Sequence, residues 1–129
     1  MSAVLLDTHV WAWSLTGDLR LSEKATLAIL EADGVFVSPI SFFEIGRKVR
    51  IGKWPQMAPY VDGLPALLEE QGGRIATLAP EICLQAATMS WEHRDPFDRI
   101  LAATALHSSI PLISADEIFG SLPGLVRLW

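Results

Sequence analysis

Four acidic residues are spaced along the chain so that one folded domain could bring their carboxylates together. Asp7 directly follows a short apolar run, Ala3–Leu6, and Asp116 comes soon after another apolar run. Glu44 and Asp98 each stand three residues after a side chain that could begin a helix. Clustered carboxylates repel one another, and an all-oxygen cluster selects Mg²⁺ or Mn²⁺. Because such an ion can activate water and stabilise displacement at a phosphodiester, the four acids predict a metal-dependent nuclease.

The elements that must position these acids are short apolar strands alternating with helical segments. Strands are predicted at 3–6, 35–37, 75–78, 111–113 and 126–129. Helices are predicted at 9–15, 22–33 and 41–52. A further helix is predicted to end at 72, two more to begin at 80 and at 95, and a short one near 116. A loop is expected at 53–59. This alternation is typical of βαβ units and of buried parallel strands. We therefore predict one domain over residues 1–129, an α/β/α three-layer sandwich with a central, mostly parallel sheet.

Ligands of such folds bind beyond the carboxyl ends of the strands. Asp7 and Asp116 are predicted there directly. Glu44 lies on a helix that follows a strand, so it is expected near the same edge. The helix of Asp98 follows another helix, so the expectation that Asp98 lies at this edge rests on analogy with similar folds.

Each acid also has a simpler structural interpretation. Ser41 and Glu44 form a Ser-x-x-Glu capping box, and Asp95 before Pro96 suits a helix cap. Asp98 in a first helical turn would be favoured by the helix dipole alone. The two acids that follow strands are harder to explain this way, since a carboxylate beside a buried strand is costly without a partner.

Several other chemistries lack their motifs. The chain has no Gly-x-Gly-x-x-Gly and no Walker loop, so it lacks a phosphate cradle for nucleotides. Asp7-Thr8-His9 is not the Asp-x-Asp of aspartyl-nucleophile phosphatases, and lysines occur only at 24, 48 and 53, unlike a phospho-receiver domain. The three histidines, at 9, 93 and 107, form no ligand motif, and Cys83 is predicted to be a small core residue.

Composition limits the class of protein further. Half of the 129 residues are hydrophobic and the mean hydropathy is +0.32, which excludes intrinsic disorder. No apolar run exceeds four residues, so neither a membrane span nor a signal peptide is expected. The single cysteine excludes an internal disulfide, and a cytoplasmic location is expected.

The charge balance argues against nucleic acid until the positions of the charges are considered. Ten Lys and Arg against fifteen Asp and Glu give a net charge of −5. Yet four cations fall within seven residues, beginning three residues after Glu44, and Arg94 and Arg99 flank the Asp95–Asp98 turn. Such a strip could hold a phosphate backbone or form a solvated helix face. The predicted RNA contacts are Arg47, Lys48, Arg50, Lys53 and Arg99, while Trp54 could stack on a base or pack in the interior.

The segments around these residues resemble a known family. They are Leu5-Leu6-Asp7-Thr8-His9, Ser41-Phe42-Phe43-Glu44-Ile45, His93-Arg94-Asp95-Pro96-Phe97-Asp98-Arg99 and Ile113-Ser114-Ala115-Asp116. Together they resemble the PIN-domain nucleases, in particular the VapC-type toxins of bacterial type II toxin–antitoxin systems. The resemblance runs in order from about residue 3 to the carboxyl terminus.

The resemblance implies a Mg²⁺-dependent endoribonuclease that a cognate antitoxin protein holds inactive. It implies metal-binding roles for the same four acids, Asp7, Glu44, Asp98 and Asp116. Asp95 and Glu117 stand beside the expected acids, so the resemblance does not decide which of these carboxylates is the fourth metal ligand. Phe43 occupies a position where this family often has Trp, and that exchange should keep the packing.

The resemblance leaves other points open. Thr8 and Ser114 could orient the ligands. A non-catalytic PIN-like interaction module, whose acids serve as caps, and a DNA-directed nuclease on the same site are the alternatives. The apolar, Trp-rich composition also makes a homodimer plausible, and no membrane partner is expected.

Overall fold

The centre of the fold is a parallel five-stranded sheet, seen in a computed structural model that describes residues 2–129. The strand order is β3-β2-β1-β4-β5, and every neighbouring pair is parallel. The strands are β1 (Ala3–Leu6), β2 (Gly34–Val37), β3 (Arg74–Ile75), β4 (Leu112–Ile113) and β5 (Arg127–Leu128). The chain therefore extends the sheet on one side of β1 first and then on the other.

Six α-helices within residues 2–129 surround this sheet, and the predicted three-layer α/β/α architecture is confirmed. They are α1 (Thr8–Thr16), α2 (Glu23–Glu31), α3 (Pro39–Arg50), α4 (Leu64–Glu70), α5 (Pro80–Thr88) and α6 (Pro96–Ser108). The described part of the chain also contains the 3-10 segments Pro55–Gly63 and Glu117–Ser121. No helix within residues 2–129 is long and apolar enough to cross a membrane.

The sheet buries a core on each face because neighbouring side chains of a strand point in opposite directions. On β1, Val4 and Leu6 belong to a cluster with residues of α1, α2, α3 and α4. Leu5, between them, belongs to a second cluster with residues of α6. The apolar run of β1 is thus buried on both sides, as its composition predicts.

Capping side chains fix several helix starts that the sequence predicts. The Ser22 hydroxyl accepts a hydrogen bond from the Ala25 amide at 3.1 Å, and α2 begins after it. The Asp95 carboxylate accepts one from the Phe97 amide at 2.8 Å, and α6 begins after Asp95. Gly17 ends α1 with φ of 65°, a left-handed conformation that favours glycine.

The start of α3 differs from the prediction. The helix begins at Pro39, and the Ser38 hydroxyl caps it by accepting from the Ile40 amide at 3.1 Å. Ser41 therefore lies inside the helix, and Glu44 lies beyond its first turn, so the predicted Ser41–Glu44 capping box is wrong. The physical reason is that Ser38-Pro39 offers a cap followed by proline at the first helical position, which takes precedence.

Three smaller predictions are also corrected. The third strand is Arg74–Ile75 instead of 75–78, and the predicted 53–59 loop contains the start of the 3-10 segment Pro55–Gly63. Cys83 is exposed and does not belong to the core. The buried face of α5 carries Ile82 and Ala86, which are one turn apart, and this spacing turns Cys83 outward.

Candidate active site

A cavity of about 360 Å³ lies where the chain leaves β1 and β4. The order of the sheet reverses between these two strands, and such a switch point is where parallel α/β folds bind ligands. Five carboxylates from separate parts of the chain line the cavity: Asp7, Glu44, Asp95, Asp98 and Asp116. The four acids singled out in the sequence are therefore brought to one cavity, together with Asp95, and Glu117 is not among the lining residues.

Asp7 is the most deeply placed of these acids. It is buried directly after β1 and precedes α1, but its side chain does not cap that helix. Instead, the Ser114 hydroxyl donates a 2.6 Å hydrogen bond to its carboxylate. Burial, together with the charges of Asp98 and Glu44, raises the pKa of Asp7 to about 7, although the hydrogen bond from Ser114 lowers it.

Ser114 links Asp7 to the segment that follows β4. Its hydroxyl oxygen accepts a 3.0 Å hydrogen bond from the Asp116 amide. The Asp116 carboxylate in turn accepts a 3.0 Å bond from the Ile118 amide, so it caps the 3-10 segment Glu117–Ser121. Asp116 thus combines a cap with a position in the cavity wall, and its side chain is exposed.

Glu44 is buried on α3, and it forms an ion pair with Lys48 one turn later, Oε2 to Nζ at 3.0 Å. The Thr8 hydroxyl is bonded to the Ser41 hydroxyl at 2.8 Å, which ties the start of α1 to α3. Thr8 therefore fixes the helix that carries Glu44. Its side chain forms no hydrogen bond with a carboxylate within residues 2–129.

Asp98 lies in the first turn of α6 and is held by a histidine. His93 Nε2 is 2.7 Å from Asp98 Oδ2. Burial raises the pKa of Asp98, the nearby charges of Asp95 and Glu44 raise it as well, and the contact with His93 lowers it. Sequence reasoning missed this histidine because a separation of five positions matches no ligand spacing, and only the turn at Asp95 brings the two side chains together.

Arg99 has a different role from the one predicted. Its guanidinium group donates hydrogen bonds of 2.6 to 2.9 Å to four backbone carbonyls, those of Ala86, Met89, Trp91 and His93. These contacts fix the segment between α5 and α6 and occupy four of the five N–H donors of the guanidinium group. We therefore leave Arg99 out of the proposed RNA contacts.

The basic strip lies on and after α3. Arg47, Arg50 and Lys53 are exposed, and Lys48 reaches the carboxylate cavity. The Lys48 ammonium also lies 5.5 Å from the centre of the Trp54 ring. Positive charge is thus placed at the rim of an acidic cavity, the arrangement in which a phosphate backbone can approach carboxylates.

The donor set suits a hard divalent cation. Within residues 2–129, no group of three His, Cys, Asp or Glu side chains is already arranged to hold a metal ion. Three of the carboxylates instead contact the internal partners Ser114, Lys48 and His93. The raised pKa values of Asp7 and Asp98 show that burial and mutual repulsion oppose their ionisation. A divalent cation would relieve this repulsion, and carboxylate oxygens are the ligands that Mg²⁺ and Mn²⁺ prefer.

Comparisons with known proteins agree with this arrangement. The family model of the PIN domain matches residues 4–125. Ribonuclease VapC22 of Mycobacterium tuberculosis (strain ATCC 25618 / H37Rv) is 32% identical to this chain over an alignment of 132 positions, which covers 100% of both proteins.

Two solved structures share the fold at lower identity. VapBC2 from Rickettsia felis, bound to a DNA fragment from its promoter, matches with a TM-score of 0.64 and 14% identity, over 97% of this chain and 96% of that one. A toxin–antitoxin complex from Klebsiella pneumoniae matches with a TM-score of 0.62 and 18% identity, over 95% of each chain.

Proposed function

Since the chain belongs to the PIN-domain family, we propose that it is a Mg²⁺- or Mn²⁺-dependent endoribonuclease that acts as the toxin of a type II toxin–antitoxin pair. One observation carries the proposal: five carboxylates line a single cavity at the switch point of the sheet. The name of the relative from Mycobacterium tuberculosis supports RNA as the substrate. We assign residues 1–129 to one nuclease domain.

In the proposed mechanism, Asp7 and Asp98 are the principal metal ligands, and Glu44 and Asp116 complete the site. These carboxylates would hold a divalent cation, which would supply an activated water and charge stabilisation at the phosphodiester. Ser114 orients Asp7, and His93 positions Asp98. Asp95 caps α6 and adds negative charge to the cavity.

The exposed cations of the strip hold the RNA backbone in this proposal. Arg47, Arg50 and Lys53 are exposed on and after α3, and Lys48 brings one charge to the edge of the cavity. Phosphate contacts of this kind position a strand without reading its sequence. The strip therefore explains how a chain with net charge −5 can bind a polyanion.

The proposal includes a cognate antitoxin as partner. The structure from Klebsiella pneumoniae that shares this fold is a toxin–antitoxin complex, which supports a protein partner of this kind. We also propose a homodimer, on the basis of the apolar and Trp-rich composition.

The central experiment replaces Asp7 with Asn. Wild-type protein should cleave single-stranded RNA only when Mg²⁺ or Mn²⁺ is present, and its expression should arrest growth. Asp7→Asn should abolish both effects, because it removes a ligand charge. Asp62→Asn, an exposed acid outside the cavity, is the matched control and should leave both effects unchanged. Cleavage by Asp7→Asn at the wild-type rate contradicts the mechanism, and cleavage of single-stranded DNA alone would identify the DNA-directed alternative.

A metal titration separates the nuclease from a non-catalytic interaction module. Mg²⁺ or Mn²⁺ should raise the melting temperature of the wild type, since a ligand that binds only the folded state stabilises it by about 2.7 kcal/mol at 100 times its Kd. Asp7→Asn should lose most of this shift. Acids that served only as caps would give no shift in either protein.

A further inference from the structure

A second, larger cavity adjoins the carboxylate cavity. Its volume is about 640 Å³, which lies in the range of sites that bind small organic groups, about 300–1,000 Å³. The two cavities share His9, Trp13 and Lys48 in their walls. A strand whose phosphodiester lies at the carboxylates would therefore continue into this second cavity.

Aromatic rings form one wall of the second cavity. The His9 imidazole stacks on the Trp54 indole, with ring centres 4.6 Å apart and planes 25° apart. Trp13 lies beside His9 at 6.0 Å in a tilted arrangement. Trp54 stacks on the imidazole, yet His9 is exposed, so part of its ring is accessible to a planar ligand. Planar aromatic platforms of this kind hold the bases of single-stranded nucleic acids.

Positive charge is available at the same cavity. Lys53 lines it, is exposed, and forms no ion pair within residues 2–129. Arg20 lines it as well, but its charge is taken up by Asp18, with Nη2 and Oδ2 2.7 Å apart. Lys53 is therefore the side chain best placed to hold a phosphate without losing an existing partner.

We propose that this second cavity binds the nucleotide next to the cleaved phosphodiester of a single-stranded RNA, with its base on the His9 ring and its phosphate beside Lys53. The proposal rests on the proposed function, because it assumes an RNA strand at the carboxylates. A duplex does not satisfy it, since paired bases are not free to stack on a side chain. An RNA strand is favoured over a peptide because a ring platform and a free cation occur together beside an acidic cavity.

The test measures binding rather than cleavage. Binding is followed by tryptophan fluorescence in EDTA. The affinity of the wild-type protein for a ten-nucleotide oligoadenylate is compared with its affinity for an abasic spacer decamer of equal charge. His9→Ala should weaken oligoadenylate binding roughly 5- to 150-fold, the range of one base–aromatic stack, and leave spacer binding unchanged. His9→Phe, which keeps a ring, should retain oligoadenylate binding. Lys53→Ala should weaken both ligands equally.

His107→Ala is the matched control, because His107 is exposed near the end of α6 and lines neither cavity. It should bind both decamers like the wild type. The proposal is overturned if His9→Ala binds oligoadenylate normally, or if it weakens both decamers equally. It is also overturned if the substitution impairs only the binding of a protein partner.

Failure of the proposed function gives a different result. If the protein is not a nuclease, no metal will produce cleavage, whatever His9→Ala does to binding. If it is a nuclease without this nucleotide site, Asp7→Asn will abolish cleavage while His9→Ala leaves the preference for oligoadenylate over spacer intact.

Discussion

The Ser114 hydroxyl donates a 2.6 Å hydrogen bond to the Asp7 carboxylate, although 107 residues separate the two in the chain. Asp7 follows β1 and Ser114 follows β4, and these strands are neighbours in the sheet. The bond therefore crosses the switch point, where the chain passes from one half of the sheet to the other. It joins the earliest and latest parts of the candidate site.

Replacing Ser114 with Ala should raise the pKa of Asp7. The hydroxyl stabilises the ionised carboxylate, and a hydrogen bond to a charged group contributes about 1.5–3 kcal/mol. Its loss should move the pKa upward from about 7 by roughly 1–2. Carboxyl-carbon NMR of the metal-free protein, titrated from pH 4 to 10, measures this directly.

Ser41→Ala is the control for this titration. Ser41 is also a buried serine, but its hydroxyl contacts Thr8 instead of a carboxylate. It should leave the pKa of Asp7 near the wild-type value. A pKa for Asp7 in Ser114→Ala that equals or falls below the wild-type value would show that the hydroxyl does not stabilise the charge.

Metal-free protein should lose stability as the pH rises from about 4 to 7. Asp7 binds its proton up to about pH 7 in the folded state but only to about pH 4 in the unfolded state. The folded state therefore holds more protons between these values, and the free energy of unfolding falls with pH there and levels off above. This one group contributes up to about 4 kcal/mol, and the raised pKa of Asp98 adds in the same direction.

Urea denaturation in EDTA at pH 5 and pH 8 measures this difference. Asp7→Asn cannot ionise at that position, so its stability should differ less between the two pH values than that of the wild type. At pH 8 the variant should be the more stable of the two. An equal pH dependence in both proteins would exclude Asp7 as the responsible group.

Replacing Lys48 with Ala should tighten metal binding and weaken RNA binding. The ammonium group lies 3.0 Å from Glu44 and lines the carboxylate cavity, so it repels a cation that enters there. Removing it should strengthen Mn²⁺ binding by about 3- to 10-fold, equivalent to ~1 kcal/mol of repulsion. Isothermal calorimetry with Mn²⁺ checks the first effect, and RNA affinity in Ca²⁺ checks the second.

Lys24→Ala, an exposed lysine on α2, is the control and should change neither affinity. Weaker Mn²⁺ binding in Lys48→Ala would mean that Lys48 supports the ligands instead of competing with the metal.

The sequence predicted the parts of the site that depend on local order along the chain. Asp7 had to lie at the edge of the sheet, because an apolar run of four residues leads directly to it. The Asp95 cap followed in the same way from an acid placed before proline. Each prediction needed only neighbouring residues and the rule that parallel strands end together.

Contacts made through tertiary packing could not be predicted in this way. The beginning of α3 was misplaced because two serines, at 38 and 41, each fit a cap, and the sequence does not say which hydroxyl is needed elsewhere. The Ser41 hydroxyl is instead hydrogen-bonded to the Thr8 hydroxyl, which belongs to α1. The pairing of His93 with Asp98 and the four carbonyls around Arg99 likewise depend on how the segment before α6 turns back on itself.

That segment gives a final prediction, on Arg99. Four carbonyls accept hydrogen bonds from this one guanidinium group, and one of them belongs to His93, which holds Asp98. Arg99→Ala should lower the free energy of unfolding by about 2–4 kcal/mol, because partly buried carbonyls lose a charged donor. Arg99→Lys should recover only part of this, since an ammonium group cannot match the planar fork of a guanidinium. Urea denaturation at pH 8 measures the loss.

Arg94→Ala is the matched control, because Arg94 is an exposed arginine in the same segment and should change stability by less than about 0.5 kcal/mol. Mn²⁺ affinity provides a second measurement on protein that remains folded. If Arg99 fixes the backbone that places His93 and Asp98, Arg99→Lys should also weaken Mn²⁺ binding. Full stability and full Mn²⁺ affinity in Arg99→Lys would show that any cation suffices at this position, and that the fork geometry does not position the site.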